Sequence, residues 1–167
     1  MTIEQLRIDK ELDEISYFDL LKCDEWKAKR LTILKRDDYK CVKCERSKTA
    51  NLKSGNSNVY LYKNGDEIIP SKESINLQIH HKLYIYNRFP WNYDSEDLET
   101  LCNTCHEELH NNEDIVVWDE HKLNKLKFGA CDRCSGKGYL KIYKHVDNGI
   151  CYKCRGYGYN MPLIKLT

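Results

Sequence analysis

Leu77-Gln-Ile-His80-His81 and Cys102-Asn-Thr-Cys105-His106-Glu-Glu-Leu-His110 hold four of the six histidines in the chain. His106 and His110 are four residues apart, so on a helix they project from one face and can bind one ion together. His80 and His81 end an apolar run that predicts a strand. Because side chains alternate along a strand, one imidazole can bind the ion while its neighbour accepts a proton from water. The pattern predicts a metal centre suited to hydrolysis.

Eight of the nine cysteines form four Cys-x-x-Cys pairs, which points to metal binding. A gap of two residues lets two thiolates bind one ion, and four pairs make two four-cysteine zinc sites. Redox motifs or disulfides are the alternative interpretation. The ninth cysteine, Cys23, is expected to be a small buried apolar residue. The pairs are Cys41/Cys44, Cys102/Cys105, Cys131/Cys134 and Cys151/Cys154.

Length and composition bound the class of protein. A chain of 167 residues is long enough for one modest core and a small satellite. Charged residues make up 32%, mean hydropathy is -0.73, and no apolar run approaches the length of a membrane span. The first residues do not resemble a signal peptide. The expected location is the cytoplasm, with no membrane partner.

The net charge of +1 conceals a segregation of charge along the chain. Residues 27–53 hold ten basic and three acidic side chains, and residues 121–167 hold ten and two. The segment between them, 54–120, holds four basic and thirteen acidic side chains. A basic stretch often means only a solvated face. Two basic segments around a metal-binding middle favour a polyanionic partner instead.

Periodicity and turn residues predict an α+β chain in three segments. These are a helical lead-in (1–25), a central domain (26–118), and a connector with a small C-terminal module (119–167). Asn64-Gly65 between apolar runs predicts a β-hairpin. Residues 47–57 are polar and predict a loop. Helices are predicted over 26–36 and 103–111, and a strand over 77–81.

The C-terminal module contains an internal repeat, Cys131-Asp-Arg-Cys134-Ser-Gly136-Lys-Gly138 and Cys151-Tyr-Lys-Cys154-Arg-Gly156-Tyr-Gly158. Glycine at fixed offsets permits positive φ and lets backbone amides turn towards the thiolates. The two knuckles would close one zinc site. The repeat resembles half of the cysteine-rich zinc region of DnaJ-type chaperones, which implies structure only, because no His-Pro-Asp motif accompanies it.

The stretch from Trp26 to His110 resembles the HNH (His-Me finger, ββα-metal) endonuclease family. The motifs are Lys35-Arg-Asp-Asp-Tyr-Lys-Cys41-Val-Lys-Cys44, Leu77-Gln-Ile-His80-His81, and Asp97-Leu-Glu-Thr-Leu-Cys102-Asn-Thr-Cys105-His106-Glu-Glu-Leu-His110. They cover about half of the chain. The resemblance implies a small ββα-metal nuclease core held by a four-cysteine zinc clamp.

The resemblance also implies roles for single residues. His80, His106 and His110 would bind the catalytic ion, and His81 would be the general base. Cys41, Cys44, Cys102 and Cys105 match the structural zinc clamp. Asp97 stands where the family usually has asparagine. A carboxylate can still accept a backbone N–H but lacks the donor of the amide, so Asp97 departs from the pattern while the ligands and the base remain.

The expected function is metal-dependent hydrolysis of DNA phosphodiester bonds, with RNA left open. The expected cofactors are two structural zinc ions and one catalytic divalent ion, Mg, Mn, Ni, Co or Zn. One active site cuts one strand, so double-strand cleavage would need a homodimer or two encounters. The alternative is a non-catalytic zinc-dependent module that binds nucleic acid or protein. The residues expected to contact nucleic acid are Lys82, Arg88, Lys137, Lys141, Lys153 and Arg155.

Overall fold

The architecture, described in a computed structural model for residues 1–11, 14–54, 57–113 and 116–160, mixes helices with short strands that pair antiparallel except for one parallel pair, Tyr84–Ile85 with Val117–Trp118. Each of the three predicted segments, 1–25, 26–118 and 119–167, includes some residues outside these ranges. The helices are α1 (Ile3–Asp9), α2 (Tyr17–Leu20), α3 (Asp24–Arg36) and α4 (Asn103–Asn112). The strands are β1 (Ala50–Ser54), β2 (Ser57–Asn64), β3 (Glu67–Ser71), β4 (Leu77–His81), β5 (Tyr84–Ile85), β6 (Leu98–Cys102), β7 (Val117–Trp118) and β8 (Lys125–Leu126). The predicted α+β class is confirmed.

The predicted helical lead-in consists of two short helices. Thr2 caps α1 and Ser16 caps α2, each in a reciprocal capping box with the residue three positions later. Such a box supplies partners for the amides that a helix start leaves unpaired. At Lys10 the backbone becomes extended, which ends α1. Cys23 is fully buried with Leu6, Ile15 and Leu20, as its apolar character predicts.

A three-stranded antiparallel meander, β1-β2-β3, precedes the histidine strand. The predicted hairpin is confirmed: Asn64 pairs with Glu67, and Gly65 adopts the positive φ of 61° that its turn requires. The predicted loop over 47–57 is wrong, because β1 lies within it and pairs with β2 from Ala50↔Leu61 onwards. Pairing with β2 outweighs the weak strand propensity of β1.

Strands β4 and β6 form an antiparallel pair, and α4 begins directly after β6. The register places Leu77 opposite Cys102 and His81 opposite Leu98. Leu98 and Leu101 are fully buried, and α4 buries Cys105 and Leu109. The sequence of two strands and a helix therefore carries the two histidine motifs on adjoining elements.

The chain divides into two compact units that alternate along the sequence. The first unit comprises Met1–Lys29, Leu83–Tyr93 and Ile115–Thr167, and the second comprises Arg30–Lys82 and Asp94–Asp114. The division into three consecutive segments stays a prediction about which pieces fold alone. In the described part of the chain, no helix has the length and apolar character needed to cross a membrane.

Candidate metal centres

Three histidines of the second unit meet beside the β4–β6 pair. His80 comes from β4, and His106 and His110 come from α4. Each offers one ring nitrogen, and the three nitrogens lie within 4.8 Å of one another. Nε2 of His106 is 3.2 Å from Nε2 of His110. Two nitrogens bound to one ion at about 2.1 Å would be about 3.0 to 3.4 Å apart, depending on the coordination angle. The arrangement therefore fits a shared ion.

The surroundings of these histidines favour the neutral form, which is the form that binds metal. Burial, followed by repulsion from His106 and His110, lowers the pKa of His80 to about 3. Burial also lowers the pKa of His106 to about 4 and lowers that of His110. Nδ1 of His80 is buried and has no hydrogen-bond partner among the described residues. A neutral, buried imidazole with a nitrogen that lacks a hydrogen-bond partner fits a metal ligand.

His81 lies next to this cluster but on the other side of the strand. Alternation along β4 places its side chain on the face shared by Leu77 and Ile79. The residue is only 3% exposed. A positive charge on His81 would oppose protonation of both His80 and His106. His81 is next to the ligand His80 in the sequence, but it does not belong to the group of three histidines that could hold an ion.

Asp97 and Lys82 face each other where β4 ends. The N–H of Lys82 donates to the main-chain carbonyl of Asp97 over 2.9 Å. Asp97 closes a 3₁₀ turn, Ser95–Asp97, that leads into β6. The end of the strand after His81 is thus held by main-chain atoms, which aspartate and asparagine share.

The first cysteine cluster brings Cys41 and Cys44 together with Cys102 and Cys105. Their sulfur atoms lie within 4.8 Å of one another, and Sγ of Cys44 is 3.7 Å from Sγ of Cys102. Four sulfurs at about 2.3 Å from a zinc ion at tetrahedral angles are about 3.8 Å apart. A disulfide would need about 2.05 Å. The cluster could hold a structural zinc.

Side chains whose contacts the sequence pattern did not predict support this cluster. Nε of Arg46 donates to Sγ of Cys44 over 3.3 Å. Although burial acts in the opposite direction, hydrogen bonds from Arg46, Cys41 and Cys102 lower the pKa of Cys44 to about 7. The Asp37 carboxylate accepts the N–H of Thr100 over 2.9 Å, and Arg36 donates to the carbonyl of Leu98 over 2.8 Å. The end of α3 is thereby fastened to β6, two residues before Cys102.

The second cysteine cluster lies in the first unit and is built from the repeat. Sulfur separations are 3.8 Å for Cys131–Cys151 and 3.7 Å for Cys134–Cys154. The two halves match: Gly138 donates its N–H to Sγ of Cys134, and Gly158 donates to Sγ of Cys154. The four sulfurs fit a tetrahedral zinc site. The predicted grouping of the eight cysteines is confirmed.

The residues predicted to contact nucleic acid have unequal surroundings. Lys82 is exposed one residue after His81, and Lys137 and Lys141 are exposed in the C-terminal module. Nζ of Lys153 pairs with Asp132 at 2.6 Å. Arg88 donates to the carbonyl of Glu120. The half-buried Arg155 adopts a positive φ of 51° in its knuckle.

The tyrosines of the module divide in the same way. Tyr159 is buried, and the ring of Tyr157 packs against the ring of Tyr17, with 5.5 Å between their centroids. Tyr139, Tyr143 and Tyr152 are 42%, 44% and 70% exposed. Of these five tyrosines, the three exposed ones have ring surface that a base could contact.

Comparisons with family models, with curated proteins and with solved structures find no match to this chain.

Proposed function

We propose that the chain is a metal-dependent HNH-type endonuclease that hydrolyses phosphodiester bonds of DNA. The observation that carries the proposal is the three-histidine cluster with a fourth histidine adjacent to it on β4. The two strands and the helix that carry these residues follow the order of a ββα-metal core. The eight cysteines already complete two structural sites, so the histidines are not needed for either.

The three ligand residues differ in exposure to solvent in a way that suits hydrolysis. His80, His106 and His110 would hold the ion, which supplies a Lewis acid for a phosphate oxygen. His80 is buried, whereas His106 and His110 are partly exposed. The ligand set therefore has one protected side and one side that faces solvent, where a phosphate can approach.

His81 takes the role of general base in this proposal. A water molecule would lose its proton to the His81 imidazole as its oxygen forms a bond to phosphorus. The bond from phosphorus to the 3′ oxygen breaks, and that oxygen takes up a proton from solvent water, which leaves a 5′-phosphate and a 3′-hydroxyl. Because His81 is almost fully covered, bulk water has little access to its ring.

A specific observation bears on the non-catalytic alternative. Asp97 replaces the usual asparagine, which would signal a degenerate site if the amide were essential. The main-chain carbonyl of Asp97 nevertheless accepts the N–H of Lys82 and fixes the end of β4. This contact does not depend on the side chain, so the replacement of asparagine by aspartate preserves it.

Nicking of supercoiled plasmid tests the proposal. Protein with two zinc ions per chain is incubated with Mg, Mn, Ni, Co or Zn added singly. At least one ion should produce nicked circles that DNA ligase reseals, because the ends are 5′-phosphate and 3′-hydroxyl.

His80→Ala should lose both the added ion and the activity, since His80 is a buried ligand. His145→Ala is the matched control, because His145 is an exposed histidine outside the cluster, and it should nick at the wild-type rate. Absence of nicking by the wild-type protein with every ion would contradict the proposal and favour the non-catalytic alternative.

A further inference from the structure

A groove in the second unit lies between α3 and one face of the β1-β2-β3 sheet. Its volume is about 750 Å³, within the range of roughly 300 to 1,000 Å³ that is usual for sites holding a small ligand. Leu34 from α3 and Leu77 from β4 line it, together with residues of all three sheet strands. None of the predicted metal ligands lines it, so the groove is separate from the candidate metal centres.

The floor of the groove is apolar and unusually open. The strand register places Ala50, Leu52, Leu61 and Ile68 on the same face of the sheet. Leu52 is 53% exposed and Ile68 is 64% exposed. Leu52 and Ile68 lie on the two outer strands, with Leu61 on the strand between them, so the apolar surface extends across the sheet. An extended apolar face marks an interaction surface more often than isolated apolar residues do.

The rim of the groove is basic. Arg30, Lys40, Lys48 and Lys63 line it, whereas Asp38 is the one acidic residue among its lining. Asp38 pairs with Lys40 at 2.8 Å, so the charges of Lys48 and Lys63 are left to attract an anion. Both of these lysines are exposed.

The rim is held in place by contacts with the sheet and the first zinc knuckle. Oγ of Ser47 accepts the N–H of Lys63 over 2.9 Å and donates to its carbonyl over 3.0 Å. Lys40 pairs with Ser47 in an isolated bridge on either side of the Cys41–Cys44 knuckle. A groove fixed before binding costs less ordering entropy when a ligand enters.

We infer that this groove binds a single strand of nucleic acid, with phosphates on Lys48 and Lys63 and bases on the aliphatic floor. Charge complementarity selects a polyanion. The open apolar floor selects unpaired bases, because a duplex presents phosphates outward and keeps its base faces stacked. The inference rests on the proposed function and specifies its substrate as DNA that is single-stranded next to the cut.

The position of the groove relative to the metal centre agrees with this substrate. Leu77 lines the groove and shares one face of β4 with His81, four residues later. Four residues of strand span about 13 Å. The groove and the proposed base are therefore close along the chain, and the face of β4 between them is buried.

Binding of a fluorescent single-stranded oligonucleotide tests the inference. The His81→Ala protein is used as the background, so that binding is measured without cleavage. Lys48→Glu/Lys63→Glu should weaken binding at least about tenfold and flatten the plot of log affinity against log salt by about 1.4, since each lost phosphate contact removes about 0.7 from the slope on single strands. Leu52→Ser/Ile68→Ser should weaken binding to the single strand but leave duplex binding unchanged.

Lys35→Glu/Lys72→Glu is the matched control, because these exposed lysines do not line the groove and the charge change is the same. An equal loss in the control, unchanged binding in the groove variants, or tighter groove-dependent binding of an acidic peptide would overturn the inference. Plasmid nicking by the wild-type protein separates the two proposals. Groove-dependent binding without nicking would support single-strand binding in the groove and contradict the proposed nuclease activity. Nicking together with unaltered binding by the groove variants would support the nuclease activity and contradict binding in the groove.

Discussion

The two cysteine clusters use the same ligands at nearly the same sulfur separations, yet they organise the chain differently. In the first, Cys44 contacts Cys102, which is 58 residues away. In the second, Cys131 contacts Cys151, which is 20 residues away and lies in a copy of the same motif. A cluster that joins distant residues determines which helices and strands meet, whereas a cluster within a repeat stabilises only a local unit. We therefore expect the metal centre to depend on the first cluster and not on the second.

The largest expected effect is the difference between Cys102→Ser and Cys151→Ser. Each should lower the zinc content from two ions to one, as elemental analysis will measure. Cys102→Ser should also abolish ion binding by the three histidines, because Cys102 caps α4 and joins β6 to the first knuckle. Structural zinc contributes about 10 kcal/mol or more to small domains.

Hydrogen exchange shows which part of the chain each cysteine substitution destabilises. In Cys102→Ser, amides of 98–112 should lose protection, whereas in Cys151→Ser the loss should be confined to the first unit. Loss of protection at α4 in both variants would show that the clusters do not act separately.

Glycine substitutions should produce the next largest effect. A Cβ at Gly138 would overlap the carbonyl oxygen of Gly156, and φ there is +71°. Gly138→Ala should therefore destabilise the repeat by at least about 2 kcal/mol. At Gly65 the φ of +61° has no atom within 4 Å of a Cβ, so Gly65→Ala should cost only about 1 kcal/mol.

Thermal unfolding of both glycine variants, with zinc measured alongside, checks this ranking. At about 2 to 4 °C per kcal/mol for a chain of this size, Gly138→Ala should show the larger fall in Tm. Equal falls in Tm would mean that the close approach of the two halves of the repeat does not stabilise the module.

Local spacing predicted the pairs of ligands, and the resemblance to a known family predicted that Cys41 and Cys44 join Cys102 and Cys105. Cys-x-x-Cys fixes two ligands at once, and His106-x-x-x-His110 needs only a helix to bring its rings together. The strand ending at His80-His81 follows from the alternation that includes Leu77 and Ile79. These are short-range patterns, which a single sequence displays directly.

The features that the sequence did not reveal depend on contacts between distant residues. Strand β1 has few strong strand formers and exists through its pairing with β2. Arg46 reaches Cys44, and Asp37 reaches Thr100, only after the chain has folded. The burial of His81 follows from its position opposite Leu98 in the β4–β6 pair. The groove likewise arises where α3 meets a sheet that was predicted in part as a loop.

Asp37 should give a smaller effect that depends on pH. Burial opposes its charge, but hydrogen bonds from Arg36 and Thr100 outweigh this and hold the pKa of Asp37 below its ordinary value. A carboxyl whose pKa is lowered by folding stabilises the fold above its unfolded pKa, and that stability is lost as pH falls through the folded pKa. The stability of the second unit should therefore decrease from about pH 4 downwards.

Asp37→Asn should be less stable than the wild type at pH 7 by about 1 to 2 kcal/mol, and the difference should narrow below pH 4. Urea unfolding at several pH values measures this. Asp38→Asn is the control, because that exposed neighbour has no contact with β6 among the described residues. A difference that stays constant from pH 7 to pH 3 would refute the role given to the Asp37 charge.

Nicking and ion content, measured in the same preparation of His81→Ala, decide whether His81 is the general base. We predict two zinc ions per chain, an added ion bound as in the wild type, and no nicked plasmid, because His81 is adjacent to the ligand set without belonging to it. Nicking at the wild-type rate would contradict the role of His81 as the base. Loss of the added ion together with activity would show that His81 is a ligand.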